Sequence, residues 1–122
     1  MTMSFPSKYR YGKSKFFSER VTTDAGTFDS MREARRFYEL QLLERAGEIS
    51  DLKRQVAFEL IPAQRDEGGK LLERSVRYIA DFTYTDKDGS YVVEDAKGFR
   101  TETYILKKKM MLFFHGIRIR EV

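Results

Sequence analysis

Two aspartates and a lysine near the ends of two predicted strands could form a metal-dependent catalytic site. Asp81 lies within the stretch Y-I-A-D-F, and Asp95 and Lys97 lie within Y-V-V-E-D-A-K-G-F-R at residues 91–100. Side chains on a strand alternate between the two faces of a sheet, so Asp95 and Lys97 share one face and Glu94 points to the other. A hairpin between the two strands would bring Asp81 beside Asp95 if the register allows it.

These residue types suit the hydrolysis of a phosphodiester. Two carboxylates at close range repel each other unless a cation lies between them, and oxygen ligands are those that Mg²⁺ prefers. We therefore predict Asp81 and Asp95 as metal ligands, with Mg²⁺ as the cofactor and Mn²⁺ as a substitute. Lys97 could polarise an attacking water or stabilise charge on a phosphate.

Other interpretations of these residues remain open. A bulge in the strand would exchange its faces and make Glu94 the ligand in place of Asp95. Asp-x-Lys triplets are common on charged surfaces, so a sheet edge made soluble by charge is the alternative to a site. Asp81 is harder to explain in this way, because aspartate has a low β-propensity and this strand is otherwise rich in aromatic residues.

The elements that must position these residues begin with a helix over residues 30–47. Ser30 is the predicted N-cap, and Glu33 completes the capping-box pattern three residues later. An apolar stripe at helical spacing follows, and Gly47 ends the helix. Its members are Ala34, Phe37, Leu40 and Leu43.

Three strands follow, over residues 53–61, 73–85 and 90–97, separated by turns at 66–70 and 86–89. In the second strand, alternation places residues 76, 78, 80, 82 and 84 on one face and Asp81 on the other. Gln55, in the first strand, either lines the cleft or faces outward. After Gly98 a helix with an apolar stripe is predicted, and a short strand over 117–122 completes the chain. The stripe consists of Leu106, Met110 and Phe113, with Ile105 and Leu112 beside it.

The order helix, three strands, helix, strand predicts an α/β fold. The sheet is expected to be mostly antiparallel, with the last strand added in parallel after a helical crossover. We expect residues 1–20 to form a basic, aromatic N-terminal arm, or a short strand, and residues 21–122 to form a single domain. The 122 residues are enough to bury a core.

The charge distribution favours an acidic partner. The net charge is +4, and the chain contains no Cys, which excludes disulfides and thiolate zinc sites. Positive charge concentrates at the two ends, with five basic residues against one acidic residue over 1–20 and seven against one over 97–120. Neither a signal sequence nor a membrane span is predicted, so a cytoplasmic protein without a membrane partner is expected.

The chain resembles the PD-(D/E)XK nuclease superfamily, including small phage-encoded endonucleases that resolve Holliday junctions. The motif is matched by Ala80-Asp81, with Ala in place of the usual Pro, and by Asp95-Ala96-Lys97. The matching stretches cover most of residues 28–122 and are F-D-S-M-R-E-A-R-R-F-Y-E-L, R-Q-V-A-F-E-L, Y-I-A-D-F and V-V-E-D-A-K-G-F.

That resemblance implies a restriction-endonuclease-like α-β-β-β-α-β core whose mixed central sheet is flanked by helices. It implies that Asp81 and Asp95 bind metal, that Lys97 is the catalytic lysine, and that Glu33 is a further catalytic residue, as an added ligand or its orienter. A capping role for Glu33 is the competing interpretation.

Taken together, these observations predict a Mg²⁺-dependent endonuclease that cuts DNA, with branched DNA such as Holliday junctions as its expected substrate. Cutting both strands of a symmetric junction requires two sites, so a homodimer is expected. The rivals are a non-catalytic DNA-binding protein of the same fold and a nuclease for linear DNA or RNA. The predicted nucleic-acid contacts are Lys8, Arg10, Lys13, Lys15, Arg100, Tyr104, Lys107 and Lys108.

Overall fold

The computed structural model describes residues 10–13 and 19–122, which fold into an α/β structure with a mixed four-stranded sheet and two helices. The strands are β1 (Arg10–Lys13), β2 (Glu19–Thr23), β3 (Gly26–Phe28), β4 (Ile49–Ile61), β5 (Gln64–Arg65), β6 (Leu71–Glu73), β7 (Val76–Asp86), β8 (Tyr91–Asp95) and β9 (Arg120–Glu121). The helices are α1 (Met31–Arg45) and α2 (Glu102–His115).

The central sheet has the order β4-β7-β8-β9. Its first three strands are antiparallel, and β9 joins β8 in parallel after the α2 crossover, as the sequence predicts. The predicted turn between β7 and β8 is also present, since the amide of Asp86 donates to the carbonyl of Ser90 over 2.8 Å. The structure therefore places the strands that carry Asp81 and Asp95 side by side.

The two helices pack on opposite faces of this sheet. Leu40 of α1 shares a buried cluster with Val92, whereas Tyr104 and Met111 of α2 share another with Val93. Val92 and Val93 are neighbours in β8 and point to opposite faces. Each face of the central sheet consequently has its own core.

The face assignment predicted for the second strand is wrong. Tyr78 and Ala80 pack in the α2 core, but Phe82 and Tyr84 pack in the α1 core. The change of face falls at Asp81. It coincides with Gln55 of β4, whose neighbours pair with Ala80 and Phe82 and which has a φ of 52°. A residue in the left-handed region interrupts the regular alternation of an extended strand, which sequence alternation alone does not reveal.

The apolar stripe predicted for the last helix is not the buried one. Tyr104 and Met111 are buried instead. Of the predicted stripe, Met110 is half-buried against the same core, while Leu106 and Phe113 are 58% and 82% exposed. A stripe at helical spacing identifies an apolar face, but it does not show which other element of the chain covers it. The described residues leave this face of α2 uncovered.

The predicted N-terminal arm contributes part of a sheet. β1, β2 and β3 form a three-stranded antiparallel sheet, and β2 crosses the predicted boundary between residues 20 and 21. Val21 and Phe28 of this sheet pack against Ala34 of α1. Residues 1–9 and 14–18 of the predicted arm lie outside the described residues.

Two further features complete the description of the fold. The predicted turn at 66–70 is present, but it lies within a small β5–β6 hairpin that the sequence did not predict. No helix among the described residues is long and apolar enough to cross a membrane.

Candidate functional site

The central pair of the candidate site is Asp81 and Asp95, which lie on adjacent antiparallel strands. The last printed ladder pair between β7 and β8 is Phe82 with Glu94, so Asp81 and Asp95 follow one residue further along. A side-chain oxygen of Asp81 accepts the amide of Ala96 at 2.9 Å. The two carboxylates therefore lie on neighbouring strands, as the sequence predicts if the register allows it.

The electrostatics of this pair are unfavourable for two negative charges. Burial raises the pKa of Asp81, and the adjacent Asp95 and the charge of Glu33 raise it further. The hydrogen bond from Ala96 acts in the opposite direction but does not balance these effects. Without a cation, the pKa of Asp81 therefore lies well above that of an ordinary aspartate.

The two carboxylate oxygens of Asp95 differ in their contacts, because only one of them accepts a hydrogen bond. The residue is 2% exposed, and the hydroxyl of Tyr78 donates to its Oδ2 over 2.6 Å. Its Oδ1 is buried and has no hydrogen bond among the described residues, although Lys97 Nζ lies 3.4 Å away. A buried carboxylate oxygen without a hydrogen bond is suited to receive a cation.

Lys97 is held beside this open oxygen by both backbone and side-chain contacts. β8 ends at Asp95, two residues earlier than predicted, but hydrogen bonds to Val122 extend the ladder from Asp95 to Lys97. The ammonium lies 4.3 Å from the centre of the Tyr104 ring, a distance typical of a cation–π contact. The Tyr104 hydroxyl in turn donates to Glu121 over 2.7 Å.

Glu33 belongs to the N-terminal cap of α1, and its side chain also contacts Gln55 of β4. Its amide donates to the Ser30 hydroxyl, which confirms the predicted cap, and its Oε2 accepts the amide of Asp29 at 3.3 Å. Its Oε1 accepts the side-chain amide of Gln55 at 3.1 Å. Burial and the charge of Asp29 raise the pKa of Glu33, and the charge of Asp95 contributes in the same direction. The charge of Arg54, whose Nη2 lies 3.8 Å from Glu33 Oε1, acts in the opposite direction.

Glu94 does not replace Asp95 in this cluster. It is fully buried on the α1 face, where its two oxygens accept from Arg36 at 2.5 and 2.9 Å. The Tyr84 hydroxyl also donates to it, over 2.5 Å. The strand alternation that separated Glu94 from Asp95 is therefore confirmed, and Glu94 serves to connect α1 with β8.

This ion pair carries a stability prediction. Replacing Arg36 with alanine leaves the buried Glu94 carboxylate without its charged partner, so we expect a loss of about 3 kcal/mol in the free energy of unfolding. Urea denaturation at neutral pH measures the loss. Lys87→Ala is the control, because it breaks an exposed pair with Glu48 and should change stability by about 0.5 kcal/mol or less. Equal effects in the two variants would contradict the structural role of Arg36.

The predicted nucleic-acid contacts are only partly placed. Arg100 and Lys108 both form ion pairs with Glu121, while Lys107 is half-exposed on α2. Tyr104 is 6% exposed, so its ring packs against Lys97 instead of presenting a surface to solvent. Arg10 and Lys13 lie in β1, and Lys8 and Lys15 lie outside the described residues.

Sequence reasoning missed the residues that orient the site. Alternation in the second strand predicts only that Tyr78 lies on the face opposite Asp81, and the pattern over 117–122 predicts only a short strand around Glu121. Tyr78 lies on the same strand as Asp81, three residues away, but the contact with Asp95 depends on the change of face in β7. Glu121 pairs with Asp95 in the parallel β8–β9 ladder, a long-range contact that local patterns do not reveal.

The donor set fits a hard divalent cation in part. Within residues 10–13 and 19–122, no three carboxylate or imidazole side chains form a ready-made metal cluster. The pair formed by Asp81 and Asp95 nevertheless offers oxygen ligands alone, including the unbonded Oδ1 of Asp95. Mg²⁺ is commonly bound by one or two carboxylates and retains several waters, so two ligands are sufficient for it.

A second concave surface lies away from these carboxylates. It is a shallow depression of about 400 Å³ near the end of α1 and the β7–β8 hairpin, lined by Leu43, Glu48, Ile49, Asp86, Lys87 and Asp88. It contains neither Asp81 nor Asp95, and the candidate site is therefore defined by charge and hydrogen bonding and not by this depression.

The fold and the site define a class of protein: an α/β domain with a buried carboxylate pair and a lysine at one end of its mixed sheet. The family comparison adds a more specific assignment. A family model described as "Protein of unknown function (DUF1064)" matches residues 13–120, and the chain belongs to that family. No curated protein and no solved structure matches the chain.

Proposed function

We propose that this protein is a divalent-metal-dependent endonuclease that hydrolyses phosphodiester bonds in DNA. The observation that carries the proposal is the position of Asp81 beside Asp95 on adjacent antiparallel strands, with the ammonium of Lys97 3.4 Å from Asp95 Oδ1. Asparagine at position 81 could accept the same amide hydrogen bond without the repulsion. Folding alone therefore gives no reason for a second carboxylate there, whereas cation binding does.

Each residue has a role that its contacts support. Asp81 and Asp95 would hold Mg²⁺ or Mn²⁺, and the metal, when bound, supplies a Lewis acid and an acidified water. Tyr78 fixes the orientation of Asp95, so that its Oδ1 stays directed at the site. Lys97 provides a positive charge that can stabilise the reacting phosphate, and the Tyr104 ring restricts where that charge lies. Glu33 adds negative charge and connects the site to α1.

The architecture agrees with the resemblance found in the sequence. Leaving out the N-terminal sheet and the β5–β6 hairpin, the order α1, β4, β7, β8, α2, β9 is the α-β-β-β-α-β order of restriction-endonuclease-like cores. In this arrangement Asp81 precedes the hairpin and the Asp95-x-Lys97 pair follows it. The proposal of a PD-(D/E)XK nuclease rests on this order together with the site.

The basic residues beside the site favour a polyanionic substrate. Arg100, Lys107 and Lys108 lie just after Lys97 in the chain, at the loop before α2 and on the helix itself. A DNA backbone that reaches Asp95 could be contacted by these side chains, and such contacts fix its position without reading its sequence. Branched DNA is the proposed substrate, as the resemblance found in the sequence implies.

Two rivals make different predictions about metal and substrate. A non-catalytic DNA-binding protein would keep the basic residues but would not need both carboxylates of the pair. A nuclease for linear DNA or RNA would keep the pair and differ in the substrate that it prefers.

A cleavage assay with purified protein tests the proposal. We expect Mg²⁺-dependent cutting of a four-way junction that is abolished by EDTA, with weaker cutting of linear duplex and single strand, because the metal supplies the activated water. A flap substrate, an RNA duplex and a reaction with Ca²⁺ complete the comparison. Cleavage in EDTA would overturn the metal role. Binding without cutting of any substrate would favour the non-catalytic rival.

A further inference from the structure

The outer face of α2 is apolar and is not covered by the described residues. We define this α2 outer face by Ile105, Leu106, Leu112 and Phe113, together with Phe99 in the preceding loop. Their exposed fractions are 40% for Ile105, 58% for Leu106, 51% for Leu112, 82% for Phe113 and 72% for Phe99. The four helical residues fall within an arc of roughly 120° around the helix axis, opposite the buried Tyr104 and Met111.

The size of this surface is at the upper end of what a monomer commonly exposes. A fully exposed Phe or Leu side chain presents roughly 150–250 Å², so the five side chains leave about 600 Å² of apolar surface. The largest apolar patch on a typical monomer reaches about that value, and such patches often mark interaction sites. A stable dimer buries about 800 Å² per partner, which this face and a polar rim would supply.

Two charges on the same face indicate which partner it fits. Glu102 and Lys109 are seven residues apart on α2, so both lie on the apolar face, and both are exposed. In an antiparallel pair of α2 helices centred on Ile105 and Leu106, Glu102 of one copy faces Lys109 of the other. Two-fold symmetry forms this ion pair twice. The same register places Phe99 of one copy opposite Leu112 of the other, so the apolar residues at both ends are also covered.

We propose that the α2 outer face is the interface of a symmetric homodimer in which two α2 helices pack antiparallel. The assignment does not depend on the chemistry of Asp81, Asp95 and Lys97. Each copy carries its own set of these residues just before α2, so the dimer contains two candidate sites. Antiparallel packing also places the helix dipoles in a favourable relative orientation.

Analytical ultracentrifugation of the full chain over a range of concentrations tests the oligomeric state. We expect a dimer whose dissociation constant rises by at least about 30-fold in Leu106→Asp, because a charge would be buried at the centre of the interface. Leu72→Asp is the matched control, since Leu72 of β6 is also 58% exposed but lies outside this face. That variant should dimerise like the unmodified chain.

Charge reversal tests the register. Glu102→Lys and Lys109→Glu should each weaken the dimer by about tenfold, because each places like charges opposite one another twice. The double variant restores opposite charges and should recover most of the lost affinity. Circular dichroism on every variant checks that the fold is retained. Absence of rescue would overturn the antiparallel register.

A monomeric wild-type chain at all concentrations would overturn the proposal altogether. In that case, loss of thermal stability in Leu106→Asp would identify a segment of the same chain as the cover. Unchanged stability would leave the face open for a different protein. A dimer that is unaffected by Leu106→Asp would place the interface elsewhere and would equally contradict the assignment.

Discussion

Replacing Lys97 with alanine is expected to reduce metal-dependent DNA cleavage by about 10³-fold. Its ammonium lies 3.4 Å from the unbonded oxygen of Asp95 and 4.3 Å from the centre of the Tyr104 ring. A charge fixed in this way requires little reorganisation when negative charge develops on a phosphate. Single-turnover cleavage of a four-way junction at saturating protein measures the chemical step separately from binding.

The controls for this variant separate catalysis from binding and folding. DNA affinity should change by no more than about threefold, because one phosphate contact among several is lost. Lys70→Ala removes an exposed lysine from the loop between β5 and β6 and should leave cleavage unchanged. Lys97→Arg keeps the charge but changes its shape, so we expect partial activity. Full activity in Lys97→Ala would remove this residue from the mechanism.

The sequence predicted the features of the fold that arise from local chemistry. Ser30 and Gly47 set the ends of α1 because a hydroxyl can accept an unpaired helix amide and a glycine readily takes a left-handed conformation. The β7–β8 turn followed from the Asp-Lys-Asp-Gly stretch at residues 86–89. Together these patterns predicted the strand–hairpin–strand setting that brings Asp81 to Asp95.

The features that the sequence did not predict depend on long-range contacts or on local departures from regular structure. Gln55 has a positive φ although it is not glycine. The residue types around it do not predict the resulting change of face at Asp81. Tyr78 therefore points towards Asp95 although simple alternation places it with Phe82. In α2, Tyr104 is buried in place of Leu106, because it packs near Tyr78 and donates to Glu121. Local hydrophobicity does not reveal either contact.

The candidate site combines residues that the sequence predicted with neighbours that it did not. The identities of Asp81, Asp95 and Lys97 could be proposed from residue types and spacing, whereas Glu33 was implied by the family resemblance. The neighbours that orient them could not, since Tyr78 and Tyr104 reach the site through packing of the α2 core. Aromatic hydroxyls that donate to buried carboxylates recur here, in Tyr78 with Asp95 and in Tyr84 with Glu94. Each fixes a carboxylate on one face of β8.

Replacing Asp81 with asparagine is expected to abolish cleavage and, at the same time, to stabilise the metal-free protein. Loss of one of two carboxylate ligands should lower metal-dependent activity by about 10³-fold or more. The folded chain raises the pKa of Asp81 above its value in the unfolded chain, mainly through burial and the adjacent Asp95. The folded state therefore binds more protons than the unfolded state between those two pKa values, and stability falls as the pH rises through that window.

Asparagine does not ionise, so Asp81→Asn should not lose stability as the pH rises through this window. Its free energy of unfolding should exceed that of the unmodified protein by on the order of 1 kcal/mol at pH 8, and the difference should shrink towards pH 4. Urea denaturation in EDTA across this pH range measures both quantities. Added Mg²⁺ should stabilise the unmodified chain but not the variant, because a ligand that binds the folded state shifts the unfolding equilibrium.

Asp88→Asn in the neighbouring hairpin is the control for this comparison. Asp88 lies outside the carboxylate pair, so its replacement should preserve cleavage and the response to Mg²⁺. The two readouts of Asp81→Asn also distinguish the possible failures. A stabilised variant that still cleaves DNA would show that Asp81 and Asp95 repel each other without serving catalysis. A destabilised, inactive variant would show that Asp81 supports the fold through its hydrogen bond to Ala96, and the metal-ligand assignment would then lose its physical basis.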